Sequence, residues 1–492
     1  MNHQDEPHGA PMGAKNATPA DAAPRSDAGG AAQEATPAAA EIAIEKLVYG
    51  GDGLGRWPGG KAAFVAFTLP GERVRAVREA EKPGYLRARV AEILTPAPER
   101  VAPGCEYFLR CGGCQLQHAA AERQLELKRE VLRETLSRTG GVAWAGEIGL
   151  HASPPWGYRN RVRLRWGPGG LGYYARDSHA VVAVAHCPIA SPALDAAIRA
   201  MASAGAPPAT ARELELAADG EDRAIMAGVT FARLGPEERA FAAGLLERIP
   251  GCISAAAAGA DAGQGGGGSR GEESRGEGFR REGSRLAQPR AAEAERPEAV
   301  VAGAGSLTYT VGDYEYRVSH GSFFQANRFL LPELAAAVTR GADGEPAGGE
   351  QAVDLFSGVG LFALPLAARF ARVSAVENGP AAARDLRWNA GAAENVRVFA
   401  EPAEAYLRRR RGPLDLLVAD PPRTGLGAKL VAAVAAAAPR RMHYLSCDPA
   451  TLARDLRALT AALPLEIESI ELFDLFPQTF HVETLVRLRL RS

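Results

Sequence analysis

Two residues near the C-terminal end of the sequence have side chains that could take part in covalent catalysis. Cys447 follows the mainly apolar run 442–446, as a residue at the end of a strand would, and Glu483 follows the stretch 476–482. A thiol can add to an electron-poor carbon and a carboxylate can remove a proton, so the pair predicts a nucleophile and a general base. Taken alone, each residue has an ordinary interpretation, a small buried side chain and a surface charge.

One reaction that needs both groups is methylation of a ring carbon that is not nucleophilic by itself, such as C5 of uracil. Addition of a thiolate at C6, which the C4 carbonyl activates, turns C5 into an enolate carbon that can take a methyl group. A base must then remove the C5 proton so that the thiol leaves by elimination. We therefore predict Cys447 as nucleophile and Glu483 as base, acting on an unpaired or flipped-out nucleotide.

A glycine-containing turn indicates where a methyl donor would bind. Residues 352–356 are typical of a buried strand, and in the turn 357–362 Gly358 and Gly360 allow a ligand to approach closely. The next strand ends at Glu377, whose carboxylate is placed to hold a ribose diol. The third glycine of a dinucleotide fingerprint is missing, so the motif favours S-adenosylmethionine over NAD.

The predicted strand 414–419 ends at Asp420, which two prolines and Arg423 follow. This motif predicts a rigid rim where the target base lies against the cofactor. Enzymes that methylate exocyclic amines carry Asn and an aromatic residue at its two ends, so Asp420 and Arg423 argue against amine methylation. Glu401, after an intervening strand, is expected near the adenine.

Four cysteines are spaced like the ligands of a metal or cluster. Cys105, Cys111 and Cys114 form a C-x5-C-x2-C pattern with Gly112 and Gly113 inside it, and Cys187 lies further along the chain. Three close thiolates and one distant one can bind zinc or an iron–sulfur cluster, and spacing alone does not separate the two. We expect the bound group to have a structural or RNA-positioning role.

Four arginines alternate along a predicted strand and should therefore share one face. They are Arg159, Arg161, Arg163 and Arg165. Such a face predicts a phosphate-binding stripe, with Arg423 as a further RNA contact. The alternative is an ordinary solvated face with acidic partners.

The length of 492 residues predicts a multidomain protein. Because the net charge is only −1, any basic surface that binds RNA must be local. With no apolar run of membrane-spanning length and no secretory signal at the start, we expect a cytoplasmic protein. We also expect a monomer. Residues 1–40 are predicted to be a disordered tail, and a low-complexity insertion is predicted at about 254–300. Short strands with glycine turns in 41–98 predict a small barrel, and 320–492 predict a parallel sheet with helices on both faces.

In this order along the chain, the features resemble the RNA 5-methyluridine (uracil-C5) methyltransferase family, and within it the bacterial 23S ribosomal RNA branch. The resemblance covers 41–492 apart from the insertion. It implies an OB-like TRAM RNA-binding barrel at 41–98, a central α+β iron–sulfur domain at 99–319, and a Rossmann-like class I S-adenosylmethionine-dependent domain at 320–492. It also favours [4Fe–4S] over zinc on the four cysteines.

The resemblance further implies roles for single residues, with Cys447 as nucleophile and Glu483 as base. Together with the glycine-turn motif, the expected cofactor contacts are Gln325, Asp354, Phe356, Gly358, Gly360, Glu377 and Asp420. The sequence departs from the family at four places, where relatives carry Asn or His: Leu361, Pro402, Asp448 and Gln478. A charge on Asp448 would raise the pKa of the adjacent thiol.

Three alternatives stay open at this stage. A transfer-RNA uridine methyltransferase would use the same chemistry on another RNA. A non-catalytic RNA-binding or ribosome assembly factor could keep the fold without turnover. A radical iron–sulfur enzyme would need one open iron site, against which the fourth cysteine and the separate nucleotide-binding motif argue.

Overall fold

The computed structural model describes residues 39–260, 299–342, 344–345 and 347–491. The predicted tail at 1–40, except for its last two residues, and most of the predicted insertion lie outside these described residues. No helix among the described residues is both long and apolar enough to cross a membrane.

The first part of the described chain is a closed five-stranded barrel, which confirms the barrel predicted at 41–98. Its strands pair in the order β1-β2-β3-β5-β4. Alternate residues such as Ile42, Ile44 and Val74 point inward, and they form a small buried core. The strands are β1 (Ala39–Leu47), β2 (Asp52–Arg56), β3 (Ala62–Ala66), β4 (Arg73–Glu81) and β5 (Tyr85–Thr95).

A central seven-stranded sheet follows, in the order β13-β12-β11-β10-β7-β8-β9 within the described residues. Helix α1 (Ala121–Gly140) and strand β6 (Ile148–His151) precede it. Its strands are β7 (Arg161–Gly167), β8 (Gly170–Tyr174), β9 (Val181–Ala183), β10 (Ala211–Ala218), β11 (Ile225–Phe231), β12 (Cys252–Gly259) and β13 (Ala299–Gly303). Its helices are α2 (Pro192–Ser203), α3 (Pro236–Ala243) and α4 (Leu245–Arg248).

The predicted start of the insertion is wrong. Residues 254–259 belong to β12, which lies inside the sheet, and Ala255, Ala256 and Ala257 are fully buried. Helices α3 and α4 pack on this strand. An alanine-rich run resembles low complexity in sequence, but its small side chains let helices pack closely on a buried strand.

The C-terminal part is an eight-stranded sheet, again counted over the described residues, in the order β18-β17-β16-β19-β20-β22-β21-β6. Strand β6, from the predicted central domain, forms its edge. A hairpin, β14 (Ser306–Val311) and β15 (Tyr314–Ser319), packs on the same core. The sheet strands are β16 (Gly349–Leu355), β17 (Phe370–Val376), β18 (Val396–Phe399), β19 (Leu416–Ala419), β20 (Arg441–Ser446), β21 (Leu465–Phe473) and β22 (Glu483–Leu490).

Buried residues on both faces explain why this sheet has helices on both sides. Along β19, Leu416 and Val418 pack in one apolar cluster, and Leu417 and Ala419 pack in another. Strands β16 to β20 are parallel, so their carboxyl ends meet at one edge. The helices are α5 (Leu331–Val338), α6 (Ala363–Ala367), α7 (Pro380–Asn389), α8 (Ala403–Arg409), α9 (Gly427–Ala437) and α10 (Pro449–Ala462).

Candidate active site

The nucleophile and base candidates meet at the carboxyl edge of the C-terminal sheet. Cys447 directly follows β20, and Glu483 is the first residue of the antiparallel strand β22. Ser446 pairs with Thr484 in the register of these strands, so the next residues in the two directions, Cys447 and Glu483, are neighbours across them. Residues distant in sequence are thus brought together by one pair of hydrogen-bonded strands.

The resting form of Cys447 is a thiol. Burial raises its pKa to about 12, and the carboxylates of Glu483 and Asp420 add to that increase. Arg423 acts in the opposite direction. A nucleophilic thiolate therefore needs positive charge at this site when the substrate is present.

Asp420 and Glu483 form a pair of buried carboxyl groups. Burial raises the pKa of Asp420 to about 7, and Gln325 donates from Nε2 to Asp420 Oδ2 at 3.4 Å. Burial and the charge of Asp420 raise the pKa of Glu483 well above its usual value. Glu483 Oε1 has no hydrogen-bond partner among the described residues, so it is available to accept a proton.

Asp448, one of the departures from the family, caps a helix. It is the N-cap of α10, and its Oδ1 accepts a hydrogen bond from the backbone N–H of Thr451 at 2.8 Å. Asp is as good an N-cap as Asn, which explains why the exchange is tolerated. Its charge is one of the groups that raise the pKa of Cys447.

The predicted cofactor residues lie around the ends of β16 and β17. Glu377 accepts hydrogen bonds from the backbone N–H groups of Gly358 at 2.8 Å and Gly379 at 2.6 Å. Phe356 has φ 61°, a left-handed conformation that is uncommon for a bulky residue and clusters at functional sites. A side chain at Gly360 would lie 2.8 Å from Leu386, so the turn is packed closely against α7.

Asp354 fits a site for a polar ligand. It is fully buried, and neither of its carboxylate oxygens has a well-aligned hydrogen-bond partner in the described part of the chain. Burial raises its pKa to about 8. Hydrogen bonds from the Ser357 side chain and the Ala363 backbone lower this pKa only in part. A buried carboxyl group with so few well-aligned partners is costly unless a ligand provides more, and the donor groups of S-adenosylmethionine can do so.

The other departures have structural roles. Leu361 is buried in the apolar core, and its carbonyl accepts from the Tyr316 hydroxyl at 3.2 Å. Pro402 is the N-cap of α8. Gln478 is buried in the loop before Glu483, with φ 68°.

Tyr49, in the turn of the barrel between β1 and β2, was missed by sequence reasoning. Burial and the carboxylate of Asp448, to which its hydroxyl is hydrogen-bonded, raise its pKa, and the Cys447 sulfur adds to this. Its ring meets Phe480 edge-on with centroids 5.3 Å apart. The sequence signal that could have pointed to this turn is the glycine pair after Tyr49. The structure shows why one of them is needed: a side chain at Gly51 would lie 2.9 Å from Gln115.

The four predicted cluster ligands are neighbours in the fold. Burial raises the pKa of Cys111 to about 11, and Cys187 and Cys105 are close enough to raise it further. The pKa of Cys114 is raised by burial and by the same neighbours. The loop is tight, because a side chain at Gly112 would lie 2.8 Å from the Tyr174 carbonyl oxygen.

Thiols are chemically suitable ligands for a metal or cluster, but in the described residues these side chains are not arranged as a metal site. Gly113 donates its backbone N–H to Cys111 Sγ at 3.4 Å, as in sites that stabilise a bound thiolate. Within the described ranges, no three His, Cys, Asp or Glu side chains are arranged so that they could hold a metal ion.

The arginine stripe has the acidic partners that the alternative interpretation required. Strand β10 pairs with β7 so that Glu213 faces Arg165 and Glu215 faces Arg163. Burial alone would raise the pKa of Glu215, but the charges of Arg161 and Arg163 lower it to about 2. Three of the four arginines are therefore ion-paired.

The two remaining RNA-contact candidates are Arg159 and Arg423, which lie outside this ion-paired set. Arg159 precedes the strand, and its guanidinium lies 5.7 Å from the centroid of the Phe476 ring. Arg423 is exposed and lowers the pKa of both Cys447 and Glu483.

Comparisons with known proteins show the family and the fold of the chain. Residues 305–491 match the family model described as tRNA (Uracil-5-)-methyltransferase, and 39–91 match the TRAM domain. The fold is similar to that of the Pyrococcus abyssi tRNA (uracil-54, C5)-methyltransferase in complex with S-adenosyl-L-homocysteine. That structure has a TM-score of 0.63 at 21% identity, and the match covers 91% of this chain and 99% of that one.

Sequence relatives match over nearly the whole chain. An RNA methyltransferase of Thermosynechococcus vestitus is 31% identical over 91% of this chain and 97% of its own. The 23S rRNA (uracil(1939)-C(5))-methyltransferase RlmD of Alkalilimnicola ehrlichii is 32% identical over 90% of this chain and 95% of its own. The chain belongs to the family of S-adenosylmethionine-dependent RNA uracil-C5 methyltransferases.

Proposed function

We propose that the enzyme methylates uridine C5 through a covalent intermediate in which the Cys447 sulfur is bonded to C6 of the uracil ring. The Cys447 thiol gives up its proton to solvent, the resulting thiolate adds to C6, and the electron pair of the C5–C6 double bond moves towards C5 and the C4 carbonyl. C5 then takes the methyl group as the sulfonium–methyl bond breaks. Glu483 accepts the C5 proton, the C5–C6 double bond re-forms, and the C6–S bond breaks so that sulfur leaves as thiolate.

The observation that carries this proposal is the position of Glu483 beside Cys447 across β20 and β22. Glu483 Oε1 is buried and, among the described residues, unpartnered, which leaves it able to receive a proton. The raised pKa of Glu483 makes it a stronger base than an exposed carboxylate once it is ionised.

Positive charge must support the thiolate form of Cys447 during attack. S-adenosylmethionine supplies the methyl group and a sulfonium charge when bound. Arg423 is the chain's own contribution, since it lowers the pKa of Cys447. Gln325 and Glu377 are proposed to orient the cofactor, with Asp354 and the glycine turn.

We propose that the substrate is 23S ribosomal RNA. We also propose that the enzyme acts in the cytoplasm as a monomer. Similarity to RlmD of Alkalilimnicola ehrlichii and of Chromohalobacter salexigens, at 32% and 31% identity, supports this choice. Transfer RNA is the second candidate, because the matching family model is described by that substrate. The four cysteines are proposed to hold a [4Fe–4S] cluster that fixes the loop around them.

For RNA contacts we propose that Arg423 and Arg159 matter more than the three ion-paired arginines of the stripe. Arg423 is close enough to Glu483 to lower its pKa, and Arg159 lies against the Phe476 ring in the segment that leads to Glu483. A phosphate would have to compete with Glu213 and Glu215 for the other three arginines.

The test uses purified protein and S-adenosylmethionine with a deuterated methyl group. Total RNA from a strain lacking the gene is the substrate, and nucleosides from separated ribosomal and transfer RNA are analysed by mass spectrometry. We expect deuterated 5-methyluridine in the ribosomal fraction. The same label in transfer RNA would overturn the assignment of ribosomal RNA as the substrate. Label in another nucleoside would overturn the uracil mechanism. No label anywhere, with cofactor bound, would favour an assembly factor.

A further inference from the structure

The chain that leads from β21 to Glu483 is held by groups from earlier parts of the sequence. Every carbonyl oxygen from Leu475 to Gln478 accepts a hydrogen bond from such a group. The donors and distances are Asn327 Nδ2 to Leu475 (3.0 Å), Lys128 Nζ to Phe476 (3.0 Å), the Tyr158 hydroxyl to Pro477 (3.0 Å), and the backbone N–H groups of Gln115 and Leu116 to Gln478 (both 2.9 Å).

A buried ion pair fixes the start of this segment. Lys128 Nζ lies 2.6 Å from Asp474 Oδ1, and the two side chains are 1% and 6% exposed. Lys128 is on α1, whereas Asp474 directly follows β21. A buried charged pair of this kind requires both partners to stay in place, because either charge alone would be costly.

The end of the segment is fixed by Gln124, also on α1. Gln124 Oε1 accepts the backbone N–H of Gln478 at 2.8 Å, and its Nε2 donates to Gln478 Oε1 at 2.9 Å. Gln478 has φ 68°, which a residue with a side chain rarely adopts. The surrounding contacts therefore determine a backbone conformation that the segment would not keep by itself.

These contacts matter because they set the direction from which the chain enters Glu483. Glu483 pairs with Phe473 of β21, and the residues after it pair with β20 as well. The clamped segment starts at Asp474, directly after Phe473, and leads into Glu483, so its conformation bears on both sides of that pairing. A proton-accepting oxygen must lie within hydrogen-bond reach of the proton it removes, and small displacements are costly.

We propose that Lys128, Tyr158, Gln124 and Asn327 form a clamp on segment 474–478 that positions Glu483 for removal of the C5 proton. They are positioning residues, since they act through the loop. The inference rests on the proposed function, in which Glu483 is the base. Because methyl transfer precedes proton removal, a loosened clamp slows the second step and leaves the first unchanged, so the methylated adduct accumulates.

The test compares variants that weaken the clamp with a matched control. Tyr158→Phe removes one hydroxyl from a buried ring. The double variant Lys128→Met with Asp474→Leu removes both members of the ion pair, which avoids an unpaired buried charge. Tyr309→Phe is the control, because the buried Tyr309 hydroxyl also donates to a backbone carbonyl, that of Ala218, outside the clamp.

The substrate is total RNA from a strain lacking the gene, grown with uridine tritiated at C5, and the cofactor carries a ¹⁴C methyl group. Tritium release measures proton removal, and ¹⁴C on denatured protein after ribonuclease treatment measures the adduct. For the clamp variants we expect a normal methyl burst, tritium release about tenfold to a hundredfold slower, and more adduct. Tyr309→Phe should behave as the wild type.

Glu483→Gln separates failure of the clamp from failure of the mechanism. If it accumulates adduct while both clamp variants release tritium at the wild-type rate, the clamp inference is wrong and the mechanism stands. If Glu483→Gln forms no adduct with RNA bound, the base assignment is wrong and the clamp falls with it. Equal adduct in Tyr309→Phe would also overturn the clamp, since any buried hydroxyl would then have the same effect.

Discussion

Glu483 lies opposite Cys447 because β22 runs antiparallel to β20. In a parallel sheet only the last residues of strands reach the carboxyl edge. An antiparallel strand starts at that edge, so its first residue lies beside the end of the neighbouring parallel strand. This arrangement places the proposed nucleophile and the proposed base on rigid elements, whose positions follow from strand register.

Replacing Cys447 by Ala should abolish methyl transfer and leave cofactor binding intact, because the thiol is required only for addition at C6. Calorimetry with S-adenosylmethionine and a methyl-transfer assay measure the two properties. Cys252→Ala is the matched control, since that half-buried thiol contacts the Ser254 carbonyl outside the site. Measurable turnover by Cys447→Ala would contradict the covalent mechanism.

The rate of adduct breakdown should begin to fall at a higher pH than it would with an exposed carboxylate as the base. Glu483 accepts a proton only when ionised, and burial together with Asp420 raises its pKa. Asp420→Asn removes that negative charge, so the acid limb should move to lower pH. Single-turnover measurements at saturating S-adenosylmethionine and a series of pH values test this. An acid limb that stays in place would show that Asp420 does not influence Glu483.

Protein purified without oxygen should contain iron and sulfide and absorb visible light. Replacing Cys105, Cys111, Cys114 or Cys187 by Ser should remove both, because each is a proposed ligand. Cys252→Ser should retain them. Metal analysis and absorption spectra are the measurements, and zinc in place of iron would identify the alternative site that the spacing allows.

Arg423→Ala should weaken RNA binding more than Arg163→Ala. Arg163 is ion-paired with Glu213 and Glu215, whereas Arg423 is exposed beside Cys447 and Glu483. For one lost phosphate contact, the slope of log affinity against log salt should fall by about 0.7 on single-stranded RNA. Filter binding at several salt concentrations measures it. Equal slopes for the two variants would restore the stripe as a phosphate site.

Local patterns in the sequence were enough to predict several elements. Alternating apolar residues with glycine turns predicted the barrel, and the end of β20 before Cys447 followed from the apolar run 442–446. The glycine turn after β16 was predicted from two residues that allow close approach. Each of these depends on residues near one another in the chain, where backbone preferences and side-chain periodicity act directly.

The sequence alone determined the types of the proposed reacting groups and the order of the elements that carry them. Only the tertiary structure decided that Glu215 pairs with Arg161 and Arg163, that 254–259 is a buried strand, and that α1 and Tyr158 hold the loop before Glu483. The physical reason is that partners across strands are chosen by register and packing between distant segments. Local periodicity tells which face a side chain occupies, but it does not tell what that face will meet.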